Sequence, residues 1–325
     1  MRLSVTDTWR YRLCLSLLFL FAALFPITGS TTLDNEDIRA RMVLESYRRA
    51  FPDRVEAIEF LEGDWSVLVD GKRFFWATGR ILPENDRKNA SKYRPYVFYS
   101  YPKEIRNPES YSKEQIEALR KRGEAEARIN GADHHGDFQS ALYGGATRAA
   151  AERNIVKTTL FGKQVSVHKR LLNAMRRIDA FATSLSKRDP SVAAFLASLS
   201  TVGGYNWREI RGTTRRSFHS WGLAVDLQPR KLGSAVTFWE WERERNKDWM
   251  LVPLKRRWSP PEPIIEVFER EGFVWGGKWD LYDTMHFEYR PELHEIKKVY
   301  ASAGGMDIFG DVPAGQGGSE LETSR

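Results

Sequence analysis

Two short segments constrain this chain more than any other part of it. The first reads Ser217-Phe-His219-Ser-Trp-Gly222-Leu-Ala224-Val-Asp226, and the second Trp275-Gly-Gly-Lys-Trp279-Asp280-Leu-Tyr-Asp283-Thr-Met-His286-Phe-Glu288. Each closes in a strand-like alternation, where every second side chain shares a face. Gly222, Ala224 and Asp226 therefore point one way, and the two small residues leave room for an ion or substrate beside the carboxylate. His219 falls in the turn just before, close enough to converge on Asp226. In the second segment Glu288 shares the face of His286, while Met285 and Phe287 pack on the other side. Two imidazoles and one carboxylate suit zinc, and three protein ligands leave a fourth place for water. Spacing alone does not decide this. A single histidine is more often a core or surface residue than a ligand, and a seven-residue His-to-Asp gap is far less selective than His-Glu-x-x-His.

Composition narrows the setting. A hydrophobic fraction of 42% over 325 residues belongs to a folded chain with a real core. The one cysteine, Cys14, excludes an intramolecular disulfide and any cysteine-based zinc finger or iron–sulfur cluster. A net charge of +7 suits a polyanionic partner such as nucleic acid, anionic lipid or an acidic cell-wall polymer. No nucleic-acid-binding motif accompanies it, and the arginines gather beside the candidate metal residues, so nucleic acid is not the expected partner.

Arg2, Arg10 and Arg12 precede the uncharged run Leu13–Leu24, which Pro26 ends before the small residues Thr28, Gly29 and Ser30. That order describes a secretory signal over residues 1–30. The run is shorter than the ~20 residues a membrane-crossing helix needs. The expectation is an exported protein of the periplasm or cell envelope, without stable membrane insertion if the segment is cleaved and anchored if it is not. The sequence sets no oligomeric state.

Along the rest of the chain, residues 34–52 read as a helix with an acidic first turn and a proline stop. Trp65–Val69 and Lys72–Ala77 alternate around Asp70-Gly71, a hairpin signal. Residues 84–113 read as a surface connection and 113–129 as a charged helix with a solvated face. A helix is expected over 166–186 and a short one over Pro263–Glu271, with strands at Leu223–Leu227, Phe273–Trp275 and Met285–Tyr289. Residues 234–260, with Trp239, Trp241, Trp249 and Trp258 set among charges, suggest a lid or stacking surface over a cleft. Trp221 and Trp275 are expected to fill the core. The Gly- and Ser-rich residues 304–325 read as a disordered tail.

The pattern Ser-x-His-x-x-Gly-x-Ala-x-Asp, followed by Trp-Gly-Gly-x-Trp and Asp-x-x-His-Phe-Glu, resembles the zinc peptidase family of VanY-type D-alanyl-D-alanine carboxypeptidases and L-alanyl-D-glutamate endolysins. The hedgehog signalling domain resembles the same fold. The resemblance covers about residues 155–300. It implies an α+β fold in which a small antiparallel sheet with packed helices carries a zinc site, within a catalytic domain over 126–303. Residues 31–125 then form an N-terminal α+β accessory region. The resemblance makes His219, Asp226 and His286 the Zn2+ ligands and Asp283, three residues before the last histidine, the catalytic general base. The substrates it implies are peptidoglycan stem peptides, cut as a D,D-carboxypeptidase or as an endopeptidase; a non-catalytic wall-binding module is the other reading.

The family pattern of arginine followed by glycine favours Arg208 as the cation for substrate, ahead of Arg211, Arg215 and Arg216, against a solvated basic loop. Ser217 is expected to orient a ligand or touch substrate, and Trp279 to contact substrate. Asp280 is a rival base or a turn-stabilising carboxylate. Glu288 either accepts a hydrogen bond from His286 or pairs with Arg290. His134 and His135, adjacent in a loop, are not expected to form a second metal site. His168 is expected to begin a helix and His294 to lie on the surface.

Overall fold

The computed structural model describes residues 35–95, 101–124, 134–209 and 216–302. Residues 1–30, expected to be a secretory signal, and the tail expected over 304–325 lie outside these residues. Turns of the form x-Gly set the strand layout: Glu62-Gly63, Asp70-Gly71, Thr78-Gly79 and Phe161-Gly162 each hold both residues at positive φ. Two-residue hairpin loops need that geometry because it matches the right-handed twist of the flanking strands. The first three turns join β1 (Val55–Leu61), β2 (Asp64–Val69), β3 (Lys72–Ala77) and β4 (Arg80–Pro83) into an antiparallel meander. The sequence had marked only the middle hairpin of this sheet. Helix α1 (Asn35–Ala50) opens with Glu36 and Asp37, closes with Arg48 and Arg49, and buries Val43, Leu44 and Tyr47 in the same cluster as Val67, Val69 and Phe74. Acidic groups at the start and basic groups at the end both suit the helix dipole.

After the helices α2 (Lys113–Arg122), α3 (Asp137–Tyr143) and α4 (Arg148–Glu152), the fourth x-Gly turn joins β5 (Ile155–Leu160) to β6 (Lys163–His168). This corrects the helix expected from 166. Val165 and Val167 are buried on β6, and the helix α5 begins only at Leu172 and runs to Ser186. The short α6 (Pro190–Ser198), capped by Asp189, leads into β7 (Leu199–Gly203).

The second sheet has the order β7-β8-β10-β9, where β8 is Ala224–Pro229, β9 Phe273–Trp275 and β10 His286–Tyr289, all antiparallel. Helix α7 (Glu262–Arg270) sends Ile264, Ile265 and Phe268 into the core beneath this sheet, where Phe268 stacks on Phe287 at 4.1 Å between centroids. The mixture of helices and small antiparallel sheets is the α+β architecture expected. One apolar cluster takes side chains from α1, from the meander and from the second sheet, so the described residues from Asn35 onward form one compact unit. Among the described residues no helix is long and apolar enough to cross a membrane.

Residues 234–258 correct another expectation. Trp239 and Trp249 are 0% and 1% exposed and pack 4.9 Å apart in a second apolar cluster with Phe238, Leu281 and Tyr282. They fill a core and offer no stacking surface; Trp241 and Trp258 are partly buried. The helix Lys113–Arg122 adds Leu119 to the same cluster, so it too has one packed face.

Candidate metal centre

The two halves of the site meet by strand register. His286 pairs directly with Asp226 and Glu288 with Ala224, which places His286, Asp226 and Glu288 on one face. His219 arrives from the short turn Phe218–Trp221. Ser217 caps it, its Oγ accepting from the His219 N–H at 3.3 Å, and Gly222 closes it at φ +67°. A side chain at Gly222 would lie 2.6 Å from the backbone nitrogen of His168, so both φ and space require glycine. The conformation of the turn, and hence the direction of His219, depends on these two residues.

His219 Nδ1 faces the Gly204 carbonyl at 2.7 Å. A carbonyl only accepts, so Nδ1 carries the proton and Nε2 keeps its lone pair. That Nε2 is buried without a hydrogen-bond partner and sits 3.4 Å from Asp226 Oδ2. Asp226 Oδ1 lies 3.0 Å from His286 Nδ1. One donor atom from each of His219, Asp226 and His286 falls within 4.8 Å of the other two, and all three residues are buried. Burial pushes the Asp226 carboxyl up, but His219 and His286 beside it hold it well below the usual range, so it is a carboxylate. An orphaned imidazole nitrogen, a second imidazole and an ionised carboxylate form a donor set that fits zinc.

The other expected residues fall around this group in different ways. Asp283 is 4% exposed, its backbone carbonyl accepts from the His286 N–H at 3.3 Å, and its Oδ1 accepts from the Met285 N–H at 3.3 Å. Trp279 is 4% exposed and its ring lies 5.6 Å from that of His286, so it packs beside that imidazole. Arg208 is tied to the His219 turn by Ser220, whose Oγ accepts from the Arg208 N–H at 3.0 Å and donates to the Arg208 carbonyl at 2.7 Å. Sequence reading had passed over Ser220. Arg216 donates to the carbonyls of Gly145 and Ala146 and lies over the rings of Trp207 and Trp221, which gives it a structural place. Arg211 and Arg215 lie outside the described residues. Asp280 accepts from the Tyr111 hydroxyl at 2.7 Å and sits 4.0 Å from Arg106. Burial raises its pKa, but these partners make it a brace between segments. Side chains at Gly276 and Gly277 would lie 2.5 Å from the Asp283 carbonyl and 2.2 Å from the Trp275 ring, which explains the double glycine before Asp283.

The remaining histidines have other partners. His134 Nδ1 meets the Arg94 carbonyl and His135 Nε2 meets Asp86, so the adjacent pair has separate anchors. His294 is partly buried, with Nε2 donating to the Phe273 carbonyl at 2.7 Å, which corrects the expected surface position. His168 ends β6 and caps the turn Lys169–Leu171 that precedes α5. Its Nε2 donates to the Tyr143 carbonyl and its Nδ1 accepts from the Arg170 N–H, which only the neutral ring can do. Burial, assisted by Arg170 and Lys169, lowers its pKa to about 4.

In the unfolded chain that pKa returns to ~6.5, so the unfolded state binds the extra proton first. The stabilisation is complete above pH ~6.5 and is lost as the pH falls toward about 4. Its full size is on the order of 3 kcal/mol. Denaturant unfolding at pH 6.5 and 4.5 should show a steeper loss in wild type than in His168→Gln. Equal losses would contradict the assignment.

A buried His/Asp/His group is a donor set found in metal-dependent hydrolases. Residues 211–289 match a family model described as D-alanyl-D-alanine carboxypeptidase, and this stretch contains His219, Asp226, Asp283 and His286. Residues 43–98, which include the meander, match a model described as a domain of unknown function. No curated protein and no solved structure matches the chain. The carboxypeptidase match, together with the metal-capable group, supports a metallopeptidase.

Proposed function

We propose that this protein is an exported zinc peptidase of the cell envelope that removes a terminal D-alanine from peptidoglycan stem peptides. The observation that carries the reading is the convergence of His219 Nε2, Asp226 and His286 Nδ1, with His219 Nε2 buried and without a hydrogen-bond partner. The similarity of residues 211–289 to a D-alanyl-D-alanine carboxypeptidase model supports the substrate class. His219, Asp226 and His286 would hold the zinc, which when bound polarises a carbonyl and makes water acidic enough to attack near neutral pH.

Asp283 serves as the general base. It takes a proton from the attacking water, and the same carboxyl group returns a proton to the departing amine as the C–N bond breaks. The products are a shortened peptide carboxylate and free D-alanine. Ser217 and Gly222 keep His219 aimed at Asp226, and Ser220 holds the Arg208 backbone beside that turn. The Arg208 guanidinium binds the terminal carboxylate of the substrate through two parallel hydrogen bonds. Trp279 forms the wall behind His286 and contacts the bound peptide at its edge. The basic-then-apolar residues 2–24 support export, and the net positive charge suits an anionic wall.

Digestion of purified muropeptides, followed by weighing of the products, tests the reading. Stem peptides short by one terminal D-alanine are expected. Cuts at L-alanyl-D-glutamate or at crosslinks would overturn the carboxypeptidase assignment in favour of an endopeptidase.

A further inference from the structure

Beyond His286 runs a line of buried charge that the reaction does not use. Glu288 Oε2 lies 3.4 Å from His286 Nε2, and Glu288 Oε1 accepts from an Arg290 Nη at 3.0 Å. The Arg290 Nε–H donates to Glu292 Oε1. Exposure is 2% for His286, 0% for Glu288, 4% for Arg290 and 0% for Glu292. The Arg290 guanidinium also lies over the ring of Phe218, 5.2 Å from its centroid, and Phe218 immediately precedes His219. Arg290 thus touches the elements that carry both histidines.

We infer that Glu288 is the positioning residue for His286: it fixes the ring as the Nε2–H tautomer and presents Nδ1 to the metal, while Arg290 and Glu292 hold Glu288 in place. The inference rests on the metal reading proposed above. A strand has a side-chain period of two, so residue 288 is brought back to the face of residue 286 at the reach of the far ring nitrogen. The ring lies between two carboxylates, Asp226 Oδ1 at 3.0 Å from Nδ1 and Glu288 Oε2 at 3.4 Å from Nε2. With a metal held between Asp226 and the ring, Nδ1 must give its lone pair to the ion, and the proton then sits on Nε2, where Glu288 accepts it. His219 is set in the same way through the opposite nitrogen, with Gly204 O holding Nδ1 and leaving Nε2. The two ligands are therefore oriented by different acceptors, one a backbone carbonyl and one a buried carboxylate. A carboxylate partner also raises the basicity of the ligand ring, and loss of such a partner typically costs 10–100-fold in metal affinity. Arginine suits the third position because its planar fork can reach two carboxylates at once.

The test uses the full chain, with zinc affinity measured by competition against a chromophoric chelator and the ligand field read from the visible spectrum of the cobalt-substituted protein. Glu288→Ala should weaken zinc binding by about 10–100-fold and shift the cobalt bands. Glu288→Gln keeps an acceptor oxygen and should restore most of both, whereas a purely charge-balancing role for Glu288 would not be rescued by a neutral residue. Wild-type affinity with unchanged cobalt bands in Glu288→Ala would overturn the inference. A second measurement needs no variant: long-range proton–nitrogen correlation on the zinc-loaded wild type should show His286 protonated at Nε2, and protonation at Nδ1 would overturn it. A wild-type chain that binds no zinc would overturn this inference and the metal reading together. Zinc-loaded wild type with a correct His286 tautomer but no muropeptide cleavage would support the inference and count against the proposed function alone.

Discussion

Asp283→Asn is expected to lower peptide hydrolysis by about 10²–10⁴-fold while zinc binding stays within a few-fold of wild type. The substitution is nearly isosteric and keeps a carbonyl oxygen at the place where Asp283 Oδ1 accepts from the Met285 N–H. The loop before His286 should therefore retain its form, including the contact of the His286 N–H with the Asp283 backbone carbonyl. What the amide cannot do is accept a proton from water and later give one to the amine. Because Asp283 stands outside the three metal-capable residues, zinc content and turnover should separate in this variant. Single-turnover rates on a stem-peptide substrate, with zinc measured on the same preparation, read both quantities. Turnover near the wild-type rate would remove Asp283 as the base. Asp280, engaged by Tyr111 and near Arg106, would not be the natural replacement.

Arg290→Met is expected to destabilise the fold by about 3–5 kcal/mol. Glu288 and Glu292 are fully buried, and Arg290 is hydrogen-bonded to both. Removal of the cation leaves two carboxylates in a low-dielectric interior, where an unpaired charge is far more costly than the ion pair was favourable. Thermal unfolding of the metal-free protein should show a fall in Tm on the order of 10 °C for a unit of this size. Neutralising all three in Glu288→Gln/Arg290→Met/Glu292→Gln should recover much of the loss, because no buried charge is then stranded. A loss under ~1 kcal/mol in the single variant would mean that the network carries little of the stability.

The parts of this site that depend on short-range geometry were legible in the residues. The alternation Gly222, Ala224, Asp226 and the pairing of His286 with Glu288 on one face follow from the period of a strand, and β8 and β10 carry them. Glu288 had two open readings, and the structure satisfies both because a carboxylate has two oxygens. Helix and strand were confused at 166–168, where Val167 sits close enough to the helical apolar face of α5 to extend it on paper. The Phe161-Gly162 turn was the signal that distinguishes them, since it takes the same positive-φ form as the recognised Asp70-Gly71.

The tryptophans of residues 234–258 were misjudged for a different reason. Charged neighbours suggest exposure, yet on the short helix Trp239–Arg243 both Glu240 and Glu242 are themselves buried. Trp239 goes fully inside, against Trp249, and Arg243 lies over its ring, while Glu244 and Arg245 at the helix end are exposed. The contribution of distant chain segments was not legible at all. Gly204, which sets the His219 tautomer, and Tyr101, whose hydroxyl accepts from the Trp275 N–H and donates to Glu269, act through tertiary contacts that no local pattern announces.

The central claim is that His219, Asp226 and His286 hold a zinc ion used to hydrolyse stem peptides, and metal-controlled digestion of muropeptides tests it most directly. Protein stripped by a chelator should yield no shortened peptides, and the return of zinc should restore removal of the terminal D-alanine. Turnover that continues undiminished after stripping would contradict the claim. So would a chain that holds zinc at these three residues and still leaves every stem peptide intact.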